Sequence, residues 1–228
     1  MAIETVDAAI LSKLAEYDSA TVQNAGIVAR GGYVGAEIDY SGPGLERMIG
    51  GEVVVGYAIT AELSPITEPA SHLDWNEFHD QIVYADAPVI VVLKDADPMP
   101  GRGAIIGDGM AYRFTAMGAV GAVVDGNARD VPGIEKAGLD LWATGKVPGH
   151  GPFHLLSHGG VVDIRGLKVS QGDILICDGD GVTRVAIEDA EAVVEVCADV
   201  RGRESSAHEK FSRPMSTAEY EDWKKGSS

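Results

Sequence analysis

The chain has 228 residues, of which 45% are hydrophobic and 23% are charged, and its formal net charge at pH 7 is -17. This composition disfavours global disorder, and the length fits one domain with additional segments. The acidic balance argues against general binding to nucleic-acid backbones, which requires a basic face. It is compatible with a small basic pocket or with a basic protein partner.

The cysteines and the apolar runs indicate the compartment. Cys177 and Cys197 both stand in apolar segments, where we expect small buried thiols in a reducing environment. No basic-then-apolar leader opens the sequence, and no apolar run reaches the length needed to cross a bilayer. These features predict a cytoplasmic protein with no membrane partner.

The N-terminal segment is predicted to be helical and then irregular. Apolar residues recur at helical spacing over residues 3–17, which predicts an amphipathic helix. Ser19 and Thr21 are candidate caps for a second helix over residues 20–29. Glycine and turn residues dominate residues 31–51, which predicts a loop.

Two strands and a helix are predicted next. Residues 51–63 are rich in β-branched side chains and predict a strand. Residues 87–95 form a continuous apolar run, which is typical of a strand buried on both faces. Residues 70–86 between them predict a helix, whose inward-facing residues would be Leu73, Phe78, Ile82 and Val83.

The centre of the chain alternates between helix and strand. A glycine-rich loop, a helix, a strand, a short helix and a strand are predicted in turn, over residues 100–109, 110–119, 120–126, 131–138 and 139–144. Pro132 near the first turn and Gly138 after the last turn would bound the short helix. This rhythm predicts a parallel sheet with helices packed on it.

The pattern changes after residue 145. We expect an irregular loop over residues 146–160, short and mainly antiparallel β segments over residues 161–187, and a closing helix over residues 188–204. The polar tail that follows keeps Tyr220 and Trp223, which predicts docking on a neighbouring subunit.

Three histidines in the predicted loop are four residues apart: His150, His154 and His158. Metal ligands on one helix face have this spacing, but Gly151 and Pro152 break any helix here. The interpretation we favour is a mobile loop with polar histidines rather than a zinc site.

The stretch "GDGM", residues 107–110, opens a predicted helix. Backbone N–H groups and the helix dipole at such a terminus favour an anion such as a carboxylate. The structural alternative is that Gly107 and Gly109 are turn residues and Asp108 is a helix cap.

Arg129 and Asp130 stand just beyond the predicted strand at residues 120–126, after two intervening residues. Ligands of α/β sheets bind beyond the carboxyl ends of the strands, so both residues would share a crevice with "GDGM" if the strands are neighbours. Arginine binds a carboxylate at two points, and aspartate is a ligand suited to Mg²⁺. The set suits a 2-oxo acid, and the structural alternative is a surface ion pair.

Two linked runs resemble the RraA-like family: "GDGMAYRFTAMGAVGAVVDGNARD", residues 107–130, and "VSQGDILICDGDGV", residues 169–182. The resemblance extends over roughly residues 15–200. The family includes the ribonuclease-activity regulator A proteins and the 4-hydroxy-4-methyl-2-oxoglutarate aldolases. Ser170 and Gln171 stand where the family often has a proline, a departure that leaves the substrate open.

The resemblance implies an α/β fold, a layered β/β/α swivelling-domain sandwich with a partly parallel central sheet, N-terminal helices and a C-terminal helix plus tail. It implies one domain over residues 1–228, divided into a helical segment (1–50), a core (51–200) and a tail (201–228). The expected assembly is a homotrimer or homohexamer.

The resemblance also implies roles for individual residues. Arg129 would bind the substrate and act in catalysis, and Asp130 would hold a divalent metal, Mg²⁺ in the first place and Mn²⁺ as the alternative. Beyond the resemblance, the chemistry of the reaction makes Asp108, acting through a water molecule, our candidate for moving the proton. Glu204 is a candidate for an acidic group contributed by a neighbouring subunit. Substrate binding is assigned to the run Gly107, Asp108, Gly109 and Met110 together with Arg129.

Three functions follow as hypotheses. The first is a metal-dependent lyase that cleaves 4-hydroxy-4-methyl-2-oxoglutarate or a related 4-hydroxy-2-oxo acid and also decarboxylates oxaloacetate. The second is a non-catalytic regulator that binds ribonuclease E, which the acidic charge would suit. The third is a lyase for a sugar-acid derivative, whose distal end the loop at residues 149–159 would contact.

Overall fold

The computed structural model describes residues 3–33 and 38–226. Its helices are α1 (Ala8–Leu14), α2 (Ser19–Ala29), α3 (Asn76–Val83), α4 (Asp108–Ala116), α5 (Val131–Ala137), α6 (Ala190–Lys210) and α7 (Thr217–Gly226). Its strands are β1 (Glu46–Ile49), β2 (Val54–Ser64), β3 (Val89–Asp95), β4 (Ala104–Ile106), β5 (Ala119–Ala128), β6 (Asp140–Lys146), β7 (His154–His158), β8 (Val162–Ile164), β9 (Leu167–Val169), β10 (Ile174–Cys177) and β11 (Val182–Val185).

A mixed sheet forms the centre of the fold. Its strand order is β1-β6-β5-β3-β2-β10-β11, with β4 paired to β5 and β7 paired to β2. The pairs β2–β3, β3–β5 and β5–β6 are parallel, whereas β1, β7 and β10 pair antiparallel with their neighbours. Strands β8 and β9 form a separate antiparallel ribbon. The α/β fold with a partly parallel central sheet, predicted from the sequence, is confirmed.

Both faces of the central strands are buried. Successive residues of β3 alternate between two apolar clusters: Val91 packs with the helices α3, α4 and α5, and Ile90 packs with the ribbon β8–β9. A third cluster holds α1, α2 and α6 against β10 and β11. The continuous apolar run of residues 87–95 therefore forms a strand that is buried on both faces, as predicted from the sequence.

The N-terminal helices differ from the prediction in their caps. The side chain of Asp18 caps α2 by accepting a hydrogen bond from the N–H of Thr21 at 2.8 Å. Ser19 and Thr21 are thus not the cap residues, and Ser19 is already helical. The Oγ of Ser19 instead donates to the carboxylate of the buried Asp178 at 2.8 Å.

The helix predicted over residues 70–86 is shorter, since α3 spans only Asn76–Val83. Phe78 and Ile82 are buried, as predicted. Leu73 and Val83 are 41% and 50% exposed, so the prediction that they face inward was wrong. Leu73 lies before the helix, where its N–H donates to the carbonyl oxygen of Leu155 at 2.8 Å.

Three predicted loops contain strands. Residues 31–51 include β1, residues 100–109 include β4, and residues 146–160 include β7. All three are short strands that pair beside β6, β5 and β2, respectively. Pairing with a partner distant in sequence overrides weak local preference, which explains why the local pattern did not reveal them.

The C-terminal part is more helical than expected. The closing helix continues to Lys210, and Thr217–Gly226 form α7. Phe211 and Trp223 make an edge-to-face contact with ring centroids 5.8 Å apart. Both cysteines are buried, as predicted. None of the helices in residues 3–33 and 38–226 combines the length and the apolar character that crossing a bilayer requires.

Candidate functional site

The carboxyl end of β5 is the starting point of the site. Strands β3 and β5 are parallel neighbours, which is the condition for Arg129 and Asp130 to share a crevice with residues 107–110. Beside them, β4 runs parallel to β5, and the N–H of Arg129 donates to the carbonyl oxygen of Ile106 at 3.0 Å. This backbone bond brings Arg129 next to Gly107, where α4 begins.

Gly107 is the N-cap of α4 and has an extended backbone. A Cβ atom on Gly107 would lie 3.3 Å from both Cγ and Nε of Arg129, so the side chain of Arg129 lies across this glycine. Asp108 is the first helical residue rather than the cap, which corrects the structural alternative considered for it. Its Oδ1 accepts a hydrogen bond from the N–H of Gly109 at 2.7 Å.

Two backbone N–H groups in the first turn of α4 already donate hydrogen bonds within the protein. The N–H of Met110 donates to the carbonyl oxygen of Gly107 at 3.2 Å, and that of Gly109 donates to Asp108. An anion bound to either amide would share these donors with their present acceptors.

Asp130 occupies a special backbone position at the start of α5. Its φ of 52° and ψ of 39° lie in the left-handed region, which aspartate tolerates better than most residues. Its carbonyl oxygen accepts from the N–H of Gly133 at 2.7 Å and of Ile134 at 3.0 Å, while its side chain makes no capping bond. The carboxylate is 53% exposed and lies 3.5 Å from Nε of Arg129.

Helices α4 and α5 approach each other closely beside these residues. A Cβ atom on Gly133 would lie 2.7 Å from Cβ and 3.0 Å from Oδ2 of Asp108. Glycine at position 133 is therefore what allows the first turn of α5 to lie against Asp108. The carboxylates of Asp108 and Asp130 are carried by the starts of two helices in contact.

A cavity of about 330 Å³ opens beside the start of α4. Five of the six residues predicted for the site line this cavity. The sixth, Asp130, is not part of the lining but lies against Arg129, which is. The lining consists of Trp75, His79, Ala104, Ile106, Gly107, Asp108, Gly109, Met110, Arg113, Phe114, Arg129, His150 and Phe153.

Aromatic rings form one wall of the cavity. Trp75 stacks on Phe153 with centroids 5.7 Å apart and an interplanar angle of 7°, and it stacks on His79 at 5.8 Å. This aromatic wall was not predicted from the sequence. Trp75 and His79 are four residues apart in the predicted helix, a spacing that places two side chains on one face and was the available signal.

Two arginines, Arg113 and Arg129, are among the residues that line the cavity. Burial lowers the pKa of His79, and Arg113 lowers it further, against the opposite effect of Asp74 and Asp80. Burial of the imidazole therefore favours its neutral form. Arg113 and Arg129 line the cavity beside the carboxylate of Asp108, in a chain whose net charge is strongly negative.

The three histidines of the segment 146–160 have three different environments. His150 lines the cavity. His154 Nε2 lies 3.0 Å from an oxygen of Glu68, and His158 Nδ1 lies 2.6 Å from Nε2 of Gln81. Because β7 carries two of them, the prediction of a mobile irregular loop was wrong for His154–His158.

Glu204 lies apart from the cavity lining. It is on α6, and its carboxylate accepts a hydrogen bond from the amide of Asn24 on α2 at 3.0 Å. Helix α6 packs with α1 and α2 in the third apolar cluster, which shares no residue with the cavity lining.

Two uncharacterised proteins are similar to this chain, one in sequence and one in structure. An uncharacterised protein of Methanocaldococcus jannaschii is 26% identical over 167 residues, which are 71% of this chain and 74% of that protein. An uncharacterised protein from Pseudomonas syringae pv. tomato has a similar crystal structure, with a TM-score of 0.70, 23% identity and coverage of 93% of this chain and 96% of that one.

Another crystal structure with this fold is that of Streptomyces coelicolor RraAS2, described as an unusual member of the RNase ES inhibitor RraA protein family. Its TM-score is 0.72 at 23% identity, covering 90% of this chain and 98% of that one. The family model "RraA-like: Aldolase/RraA" matches residues 22–184, more than half of the sequence. The chain therefore belongs to the RraA-like family.

Proposed function

We propose that the protein is a divalent-metal-dependent carbon–carbon lyase that acts on a small 2-oxo acid. The observation that carries this proposal is the cavity beside the start of α4, which two arginines, Arg113 and Arg129, line although the net charge of the chain is -17. Local positive charge in a cleft of this kind concentrates an anionic ligand. The RraA-like family includes both aldolases and non-catalytic regulators.

The substrate carboxylate is assigned to Arg129 and the first turn of α4. A guanidinium group can bind a carboxylate at two points, and the positive end of the helix dipole adds to the attraction. The closeness of Arg129 to Gly107, whose missing Cβ leaves room at the start of α4, supports this assignment. Met110 and Gly109 complete the same wall.

Asp130 is the residue that would hold Mg²⁺ or Mn²⁺. Mg²⁺ usually keeps several of its water ligands and needs only one or two protein carboxylates, and a half-exposed carboxylate without a capping bond fits this requirement. The exposed ion pair with Arg129 does not oppose the assignment strongly, since such pairs contribute about 0–1 kcal/mol. When bound, the metal would supply Lewis-acid polarisation of the keto group.

Two side chains, those of Arg129 and Asp108, would carry out charge stabilisation and proton transfer during cleavage of the carbon–carbon bond. When the bond between C3 and C4 of a 4-hydroxy-2-oxo acid breaks, its electron pair moves toward the keto oxygen, and the charge of Arg129 stabilises the enolate that forms. Asp108, through one water molecule, accepts the proton of the 4-hydroxyl group, and a proton returned to C3 gives pyruvate. Loss of carbon dioxide from oxaloacetate produces the same enolate, so one site can perform both reactions.

The test is release of pyruvate from 4-hydroxy-4-methyl-2-oxoglutarate and from oxaloacetate. Protein treated with a chelator should be inactive and should regain activity with Mg²⁺ or Mn²⁺. Absence of turnover with both substrates and both metals would contradict the proposal. A sugar-acid derivative is the alternative substrate with the same chemistry, and it is supported by His150 and Phe153, which bring the segment 149–159 into the cavity wall.

A regulator that binds ribonuclease E is the second candidate function. The charge of -17 favours a basic partner, and RraAS2, which shares the fold, is described as a member of a family of RNase ES inhibitors. A pull-down with purified ribonuclease E should then give a complex that weakens as salt is raised. A pull-down without such a complex would remove this candidate.

The proposed assembly is a homotrimer or homohexamer. Phe211, Tyr220 and Trp223 are 50%, 46% and 36% exposed on the C-terminal segment, and burial between subunits would remove this aromatic surface from water. Light scattering at micromolar concentration should give three or six times the chain mass. A monomeric mass would contradict the assignment.

A further inference from the structure

A second cluster of ligating side chains lies outside the residues that line the cavity. Glu68, His72 and His154 each offer one ligand atom, and these atoms all lie within 4.8 Å of one another. It is the one set of three ligating side chains so close together among the residues described. Nε2 of His154 lies 3.0 Å from Oε2 of Glu68, and the rings of His72 and His154 have centroids 4.5 Å apart.

The backbone that carries this cluster is fixed at several points. His154 lies opposite Ser64 in the antiparallel pair of β7 and β2. The carboxylate of the buried Asp97 accepts hydrogen bonds from the N–H groups of Ile66 at 3.0 Å and Thr67 at 2.7 Å, directly before Glu68. On the other side, the N–H of Leu73 donates to Leu155 at 2.8 Å, which holds His72 beside His154.

We propose that Glu68, His72 and His154 form a binding site for a first-row transition-metal cation of the Zn²⁺ type. Two imidazoles and one carboxylate are a donor set that suits Zn²⁺ and related cations, whereas Mg²⁺ prefers oxygen ligands alone. Ligand atoms around a tetrahedral cation with bonds of about 2.0–2.1 Å lie about 3.3 Å apart, close to the separation of Glu68 and His154. The remaining position would be open to water.

The site is coupled to the cavity through the chain. His72 precedes Trp75 by three residues, and His154 directly follows Phe153, so the two segments joined by the cation also carry the stacked rings of the aromatic wall. A cation bound to both segments would hold Trp75 and Phe153 together. Its role is therefore to order one wall of the cavity, independently of the lyase activity proposed above.

Cobalt provides the direct measurement, because Co²⁺ replaces Zn²⁺ and its weak visible absorption in water becomes much stronger in a four-coordinate site. Tag-free, chelator-treated protein should bind one equivalent of Co²⁺ with this absorption, and Zn²⁺ should displace it. His72→Ala, His154→Ala and Glu68→Gln should each weaken Co²⁺ binding by more than about tenfold. Removal of a residue that only supports a metal ligand already costs about tenfold in affinity, and removal of a ligand itself should cost more.

Two control variants show whether Co²⁺ binds at Glu68, His72 and His154 or elsewhere on the protein. His208→Ala removes an exposed histidine on α6, and Asp130→Asn removes the proposed Mg²⁺ ligand, so both should keep the Co²⁺ absorption. The fluorescence of Trp75 should change on Zn²⁺ binding, and this change should be absent in Trp75→Phe. Unchanged Co²⁺ affinity in His72→Ala, whose side chain is exposed and outside the core, would overturn the proposal. So would loss of the absorption in Asp130→Asn.

Discussion

Arg129 lies across the backbone of Gly107, close enough that a Cβ atom on the glycine would come within 3.3 Å of both Cγ and Nε of the arginine. The contact follows from strand pairing, since the N–H of Arg129 donates to Ile106 at 3.0 Å. A backbone bond thus places the guanidinium group of one segment at the start of a helix in another.

Gly107→Ala should lower the proposed lyase activity roughly tenfold, because the new methyl group must displace the side chain of Arg129 by a few tenths of an ångström at the proposed carboxylate site. The backbone at Gly107 is extended and accepts alanine, so the melting temperature should stay unchanged. The check is kcat/KM for pyruvate release together with thermal unfolding. Gly202→Ala, where an added Cβ meets open space, is the matched control, and equal activity in the two variants would contradict the role given to this contact.

Asp130→Ala and Asp130→Asn should both abolish metal-dependent turnover while the fold is kept. An amide is a poorer ligand for Mg²⁺ than a carboxylate, and the half-exposed side chain contributes little to the core. Turnover measured across a Mg²⁺ titration, with the melting temperature beside it, tests this expectation. Normal turnover would mean that Asp130 only forms a surface ion pair, whose loss changes stability by about 1 kcal/mol or less.

Arg129→Lys should also fail, although it keeps the charge. An ammonium group does not offer the planar two-point contact that a carboxylate and the developing enolate require. Loss of one such contact in the transition state costs about 3 kcal/mol, which is roughly a hundredfold in rate. Steady-state kinetics of the variant provide the measurement, and full activity of the lysine enzyme would show that the site is assigned wrongly.

His79 should make the stability of the protein dependent on pH. Burial and Arg113 lower the pKa of His79 in the folded state, while the unfolded chain has the ordinary value of about 6.5. The unfolded state therefore binds more protons below that value, so stability is at its full level above about pH 6.5 and falls as the pH drops through the folded pKa.

Denaturant unfolding of the wild type and of His79→Gln between pH 5 and 8 measures this dependence. The variant should lose less stability than the wild type on acidification, whereas His208→Gln, which alters an exposed histidine of α6, should behave like the wild type. Parallel curves for the wild type and His79→Gln would show that burial does not shift this group.

Part of the aromatic wall could have been found from local spacing. The four-residue interval between Trp75 and His79 places both on one helix face, and both rings line the cavity. Phe153 could not have been found in this way. Its ring reaches Trp75 because β7 pairs with β2, and the segment around it has no local pattern of a strand.

Several of the regular elements followed from local chemistry. The β-branched run of residues 87–95, the bounds of α5 set by Pro132 and Gly138, and the closeness of Arg129 to "GDGM" all depend on side-chain preferences and on the rule that parallel strands end at one edge. These properties are encoded over a few residues, or over elements adjacent in the chain, so a single sequence was enough to predict them.

Only the tertiary structure decided the short edge strands and the grouping of the histidines. Residues 146–160 look irregular because their glycines and prolines disfavour regular structure, yet β7 forms there since β2 offers unpaired backbone groups. The same pairing separates His154 from His150 and His158 and brings it to Glu68 and His72, more than 80 residues earlier in the chain. Contacts at such sequence distance depend on strand order, which local spacing does not encode.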